Sequence, residues 1–105
     1  MNKVFIPNKS AHDYSDAERF GTLITMSHGA IDKFNLTEMH RRFSAAMVGS
    51  TEDDFIVQSG PTIMLAVASA LFASKHHRLN LLVWRFEEPR GVDHYVHYKL
   101  MLEGA

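Results

Sequence analysis

The chain has 105 residues, 46% hydrophobic and 22% charged, which is material for one domain around one core and leaves no room for a second. Its formal net charge of −1 argues against a protein that coats DNA by phosphate attraction. The absence of cysteine excludes disulfides, thiolate zinc sites and cysteine nucleophiles, and fits a reducing compartment.

The opening MNKVFIPNKS places only three apolar residues together before a proline, so no secretory signal is expected. Lys3–Ile6 is β-prone, is stopped by Pro7, and reads as the first strand. A polar stretch, Asn8–Tyr14, follows. Ser15 and Glu18 have the spacing of a capping box, which predicts a short helical turn ended by Gly21. Thr22–Ser27 reads as the second strand.

Asn35 is a good N-cap for the next helix, with Glu38 three residues on and Phe34 placed to staple onto Met39. Leu36, Met39, Phe43 and Ala46/Met47 recur at helical spacing, and Gly49 is expected to end the helix. Thr51–Asp54 reads as a solvated turn and Phe55–Gln58 as the third strand.

Pro61 fits a first helical position, and from Thr62 to Ala73 the helix is apolar nearly all round. Its longest apolar run, Ile63–Ala73, is far short of the ~20 residues a bilayer span needs, so no membrane partner is expected and the protein is placed in the cytoplasm. Lys75, His76, His77 and Arg78 put positive charge at the helix C-terminus, where the macrodipole favours it. Leu79–Phe86 is a near-continuous apolar run and reads as a strand covered on both faces. Glu87–Gly91 is expected to be a hairpin turn. Val92, His94, Val96, Tyr98, Leu100 and Leu102 alternate as a closing antiparallel edge strand.

Strands alternating with helices predict a single α/β domain over residues 1–105. The expected form is a small Rossmann-like three-layer fold with a mostly parallel sheet and a C-terminal antiparallel hairpin. In such a sheet the loops after the strands share one edge, where ligands bind. Asn8–Tyr14, Ser27–His28 and Ser59–Thr62 should meet there.

Ser59, Gly60 and Thr62 sit where a strand enters a helix. Free N–H groups at that point suit a phosphate or carboxylate, with Gly60 admitting it to the backbone. The competing reading has Ser59 cap the helix and Gly60 make the turn, with no ligand. Lys9 and Ser10 can assist an anion, and His12 with Asp13 can supply a proton acceptor and a carboxylate. Against catalysis, Asp and Ser are common loop-makers.

Seven histidines prompt a metal check. His94 and His97 would point to opposite faces of a strand, His76 and His77 suit the helix dipole, and no ligand spacing appears; neither metal nor cofactor is expected. The two-sided apolar helix reads either as a core helix or as one that lends a stripe to a homodimer.

KSAHDYSDAERFG and SGPTIMLAVASALFASKHHRLNLLVW together resemble small bacteriophage proteins with a Rossmann-like core. That resemblance implies an accessory protein inside an infected bacterium, with a host protein among its partners. It brings no catalytic motif, so no residue role is carried over. The leading expectation is a module binding a small anionic ligand, a nucleotide or phosphate. The alternatives are a homodimeric interaction or inhibitor module, and a nucleotide-cleaving enzyme using His12 and Asp13.

Overall fold

The computed structural model describes residues 1–29, 34–87 and 92–102. Five strands, β1 (Lys3–Ile6), β2 (Thr22–Thr25), β3 (Phe55–Val57), β4 (Arg78–Glu87) and β5 (Val92–Met101), form one sheet in the order β2-β1-β3-β4-β5. The first four are parallel, and β5 runs antiparallel to β4 from Arg78↔Met101 to Glu87↔Val92. The turn predicted at Glu87–Gly91 lies, beyond Glu87, outside the described residues.

Strand order decides which face each connection covers. The chain steps one way from β1 to β2, then back across β1 to β3 and onward to β4. Right-handed crossovers therefore put the first connection on one face and the next two on the other. The packing follows this rule. Phe5, Ile56 and Leu81, neighbours in register, lie under α1 (Leu36–Ala46) and α2 (Thr62–His76), among Met39, Phe43, Met64 and Phe72. Val4, Ile6, Val57 and Leu82 face the other way, against Tyr14, Ala17 and Phe20 of the first connection.

Among the described residues, that second face carries no α-helix. Its cover is a 3₁₀ helix, Ser15–Arg19, with the loop before it, so the third layer expected from sequence is thin. The Ser15/Glu18 capping box does not form. Asp13 Oδ1 instead accepts the Ser15 N–H at 2.9 Å, a local loop bond that competes with the box. Gly21 is needed for space: a Cβ there would lie 2.3 Å from the Asn2 carbonyl oxygen, across the β1–β2 contact.

In α1, Asn35 caps as expected, accepting the Glu38 N–H at 3.0 Å. The Glu38 carboxylate bonds Arg41 and Arg42, which hold it down to about 2. Phe34 and Leu36 stay exposed, leaving Met39, Phe43 and Met47 to carry the buried stripe. The helix stops at Ala46, before Gly49, with the Met47 and Val48 carbonyls held by Lys75 Nζ at 2.8 and 3.0 Å.

Pro61 is the N-cap of α2, one position earlier than predicted. His77 ends the helix at φ 58°, a left-handed residue that turns the chain directly into β4. Among the described residues no helix is long and apolar enough to cross a membrane.

The expected phase of β5 is reversed in burial. Tyr98, Leu100 and Leu102 are 44%, 55% and 39% exposed, because α2 packs on β4 and leaves this row uncovered. The buried residue is Tyr95, on the other face, at 1%. The 3₁₀ helix reaches it: Asp16 Oδ2 accepts the Tyr95 N–H at 2.7 Å, and Arg19 Nη2 donates to the Tyr95 carbonyl. Two edge-strand groups that face away from β4 are thereby satisfied.

Candidate functional site

The order reversal lies between β1 and β3, whose following loops leave to opposite faces of the sheet. A crevice opens outside the carboxyl ends of strands at such a point. Asn8 and Gly60 form its floor. Gly60 has φ +68°, and a Cβ on it would lie 2.7 Å from Asn8 Cβ, so the turn closes on the first loop only with glycine here. Ser59 Oγ accepts the Asn8 N–H at 3.4 Å and does not cap the helix. Ser27 is buried and ties the second loop to the first. Its hydroxyl donates to Pro7 O at 2.6 Å and lies 3.0 Å from Asn8 Oδ1, while its carbonyl accepts the Lys9 N–H at 2.8 Å. All three predicted loops meet.

No side chain among the described residues caps α2, so the N–H groups of Thr62 and Ile63 start a fifteen-residue helix with no intrahelical acceptor. Beside this start lies a cleft of about 210 Å³ walled by Ser10, His12, Tyr14, Ser59, Trp84 and Tyr95, with Gln58 and Gly60 completing it. Four of the eight are aromatic. The His12 ring stands edge-on to Trp84, 4.7 Å between centroids, and 5.2 Å from Tyr14. Trp84 and Tyr95 are cross-strand partners 4.8 Å apart. The Tyr14 hydroxyl lies 3.0 Å from Ser10 Oγ, which holds the loop over the cleft.

The Tyr95 hydroxyl is fully buried with no hydrogen-bond partner among the described residues. Burial, and then the nearness of Tyr14, Asp16 and Asp13, pushes its phenol well above the ordinary range, so it stays protonated and able to donate.

A second cleft, of about 410 Å³, shares His12 and Tyr14 with the first and adds Lys9, Asp13, Glu18 and Thr25. Ser10, His12, Ser59 and Gly60 are thus brought together in one cleft, and Lys9 and Asp13 join His12 in its neighbour. Thr62 is exposed and outside both walls. His12 and Asp13 turn to different neighbours, the imidazole to the rings and the carboxylate to Ser15, whose N–H holds Asp13 below the usual carboxylate range. Among the described residues no group of three or more His, Asp or Glu is placed to hold a metal ion.

Sequence reasoning places Tyr14 at this edge without a role, and it missed Gln58, Trp84 and Tyr95. Tyr95 was hidden because it is the one tyrosine in the mostly polar phase of β5. Its signal was the pairing with Trp84, which needs the hairpin register to be seen.

The fold defines an open α/β domain with a mostly parallel sheet and a crevice at its reversal point. The chain belongs to the phage Pam3 gp32-like protein family, whose sequence model matches residues 2–100. No curated protein and no solved structure matches it.

Proposed function

We propose that the protein is a binding module for a small anionic ligand bearing a flat ring, a nucleotide or related phosphate ester, seated between the start of α2 and the Trp84–Tyr95 pair. The same reading takes the fold as Rossmann-like and places the protein in the cytoplasm of the infected bacterium. The observation that carries it is the cleft beside the uncapped helix start, lined by Tyr95, whose hydroxyl is buried without a partner among the described residues. An unsatisfied buried hydroxyl is costly and is retained where something bonds it. The helix N-terminus favours an anion, and the His12 and Trp84 rings favour a flat apolar group. At about 210 Å³ the cleft takes one ring or one phosphoryl group, and a longer ligand extends past His12 toward Lys9.

Trp84 is the single tryptophan, so its emission reports occupancy directly. Titration with nucleoside mono- and diphosphates should give a saturable change, weakened severalfold by Tyr95→Phe. No change at millimolar nucleotide would overturn the reading.

A second reading is supported by the exposed row Tyr98, Leu100 and Leu102 beside the edge of β5, along the stretch past the Tyr95 groups that the 3₁₀ helix holds. Antiparallel pairing of this edge with a second copy would cover it. Light scattering at micromolar concentration should then exceed the 11.9 kDa monomer mass, and a monomer mass would remove this reading.

A further inference from the structure

At the other end of the sheet, where β4 begins and β5 finishes, a cleft of about 240 Å³ is lined by Asn2, Asp53, Arg78, Asn80, His97 and Lys99. Its central feature is a poorly matched arginine. The Arg78 side chain is only 15% exposed, yet Nη1 lies 3.5 Å from Asp53 Oδ1, whose own side chain is 67% exposed. Nη2 lies 3.5 Å from the Met101 thioether sulfur, a weak acceptor. Nε is buried with no partner among the described residues. A guanidinium taken this far out of water normally has a close acceptor in its fork.

The same wall carries two more cationic groups, Lys99 and His97. The hydrogen-bond network assigns the His97 tautomer. Asn80 Nδ2 donates to the Glu52 and Asp54 carbonyls at 2.8 and 2.9 Å, which turns Asn80 Oδ1 toward His97 Nε2 at 3.1 Å. An amide oxygen only accepts, so Nε2 carries the hydrogen and Nδ1 becomes a donor when the ring is protonated. His97 is faced by Arg78 and Asn80 from β4, Asp53 from the turn before β3, Lys99 from its own strand, and the rings of Phe55 and Phe20 at 5.0 and 6.4 Å. Burial and then the Lys99 charge hold its pKa below the usual value.

We propose that this cleft is a binding site for a small phosphate monoester dianion, gripped by the Arg78 fork and Lys99 and joined by a proton on His97. Once His97 takes up its proton, Arg78, Lys99 and His97 against the exposed Asp53 carboxylate leave two positive charges to be matched, which is the charge of a monoester and not of a diester. The site is independent of the Gly60 cleft, since none of its residues lines that cleft.

The test follows the His97 imidazole protons by NMR while sulfate, inorganic phosphate, glycerol phosphate and dimethyl phosphate are titrated, with Trp84 emission reporting the other cleft. Sulfate stays dianionic from pH 5 to pH 8, so any pH effect on its binding belongs to the protein. Saturable movement of His97 is expected with the dianions. The diester should bind about tenfold more weakly or worse, and sulfate should bind severalfold tighter at pH 5.5 than at pH 8. Arg78→Met, which keeps the buried stem, should lose about tenfold or more in affinity, and His97→Gln should abolish the pH dependence. An unmoved His97 in the parent, equal binding of the diester, or an Arg78→Met protein that binds like the parent would each overturn the proposal. Should Arg78→Met fail to fold, Lys99→Ala and His97→Gln decide it, and unchanged sulfate binding in both refutes the site.

Discussion

Replacing Tyr95 by phenylalanine removes one oxygen from a ring that is 1% exposed, and that oxygen has no partner among the described residues. Leaving a buried hydroxyl unbonded disfavours the folded state by about 1–3 kcal/mol. Deleting it leaves a void of roughly 15 Å³, worth about 0.4 kcal/mol at the usual ~24 cal/mol per Å³. The first term wins. Without ligand, Tyr95→Phe should therefore stabilise the protein by about 1–2 kcal/mol, raising Tm by roughly 4–8 °C per kcal/mol for a domain of this size. Urea unfolding measures it, with an unchanged slope showing that the unfolded state is not responsible. The backbone bonds from Asp16 and Arg19 to Tyr95 do not involve the ring and should persist. A loss of 1 kcal/mol or more would mean that the hydroxyl already has a good acceptor in the free protein. The functional reading built on its isolation would then fall.

Gly60→Ala should destabilise by about 2–4 kcal/mol, combining a left-handed φ with a Cβ 2.7 Å from Asn8 Cβ. Asn8→Gly in the same chain should restore about 1 kcal/mol, and a double-mutant cycle with no coupling would refute that account of the crevice floor. His77→Gly should stabilise by about 1 kcal/mol, since glycine accepts φ 58° without strain; unchanged unfolding would show that the helix end relaxes in solution. Burial lowers the folded-state pKa of both His76 and His97, so the unfolded chain binds more protons and stability rises with pH. Melting temperature should fall as pH drops from about 7.5 through the mid-6 range and level off below the folded pKa values. The double variant His76→Gln/His97→Gln should flatten the curve, and an equally steep one would place the effect elsewhere.

Much of this fold is legible along the chain because its signals are local. KVFI before Pro7, Asn35 with Glu38, and the long apolar run closed by Lys75 and His76 each identify an element from a handful of neighbouring residues. Alternation of strands and helices then implies the parallel sheet, and with it the meeting of the loops after β1, β2 and β3. Local signals fail where a competing local bond wins, as when Asp13 takes the Ser15 N–H from the expected capping box. They also fail where burial depends on what lies above a strand. The β5 row of Tyr98 and Leu100 has the right alternation but no helix among the described residues over it, while Tyr95 is buried because Tyr14 and Ala17 of the distant first connection pack with it on the other face.

The identity and order of the elements follow from the chain's local pattern, since propensity, capping and hydrophobic period act over a few residues. Which residues share a cleft is set by long-range packing. That outcome follows from strand order and handedness, which send the loops after β1 and β3 to opposite faces, and from the hairpin register that sets Trp84 beside Tyr95. The same long-range pairing brings Arg78 and Lys99 from opposite ends of a hairpin into one wall. No local pattern encodes it, because the physical cause is contact between segments that are distant in sequence.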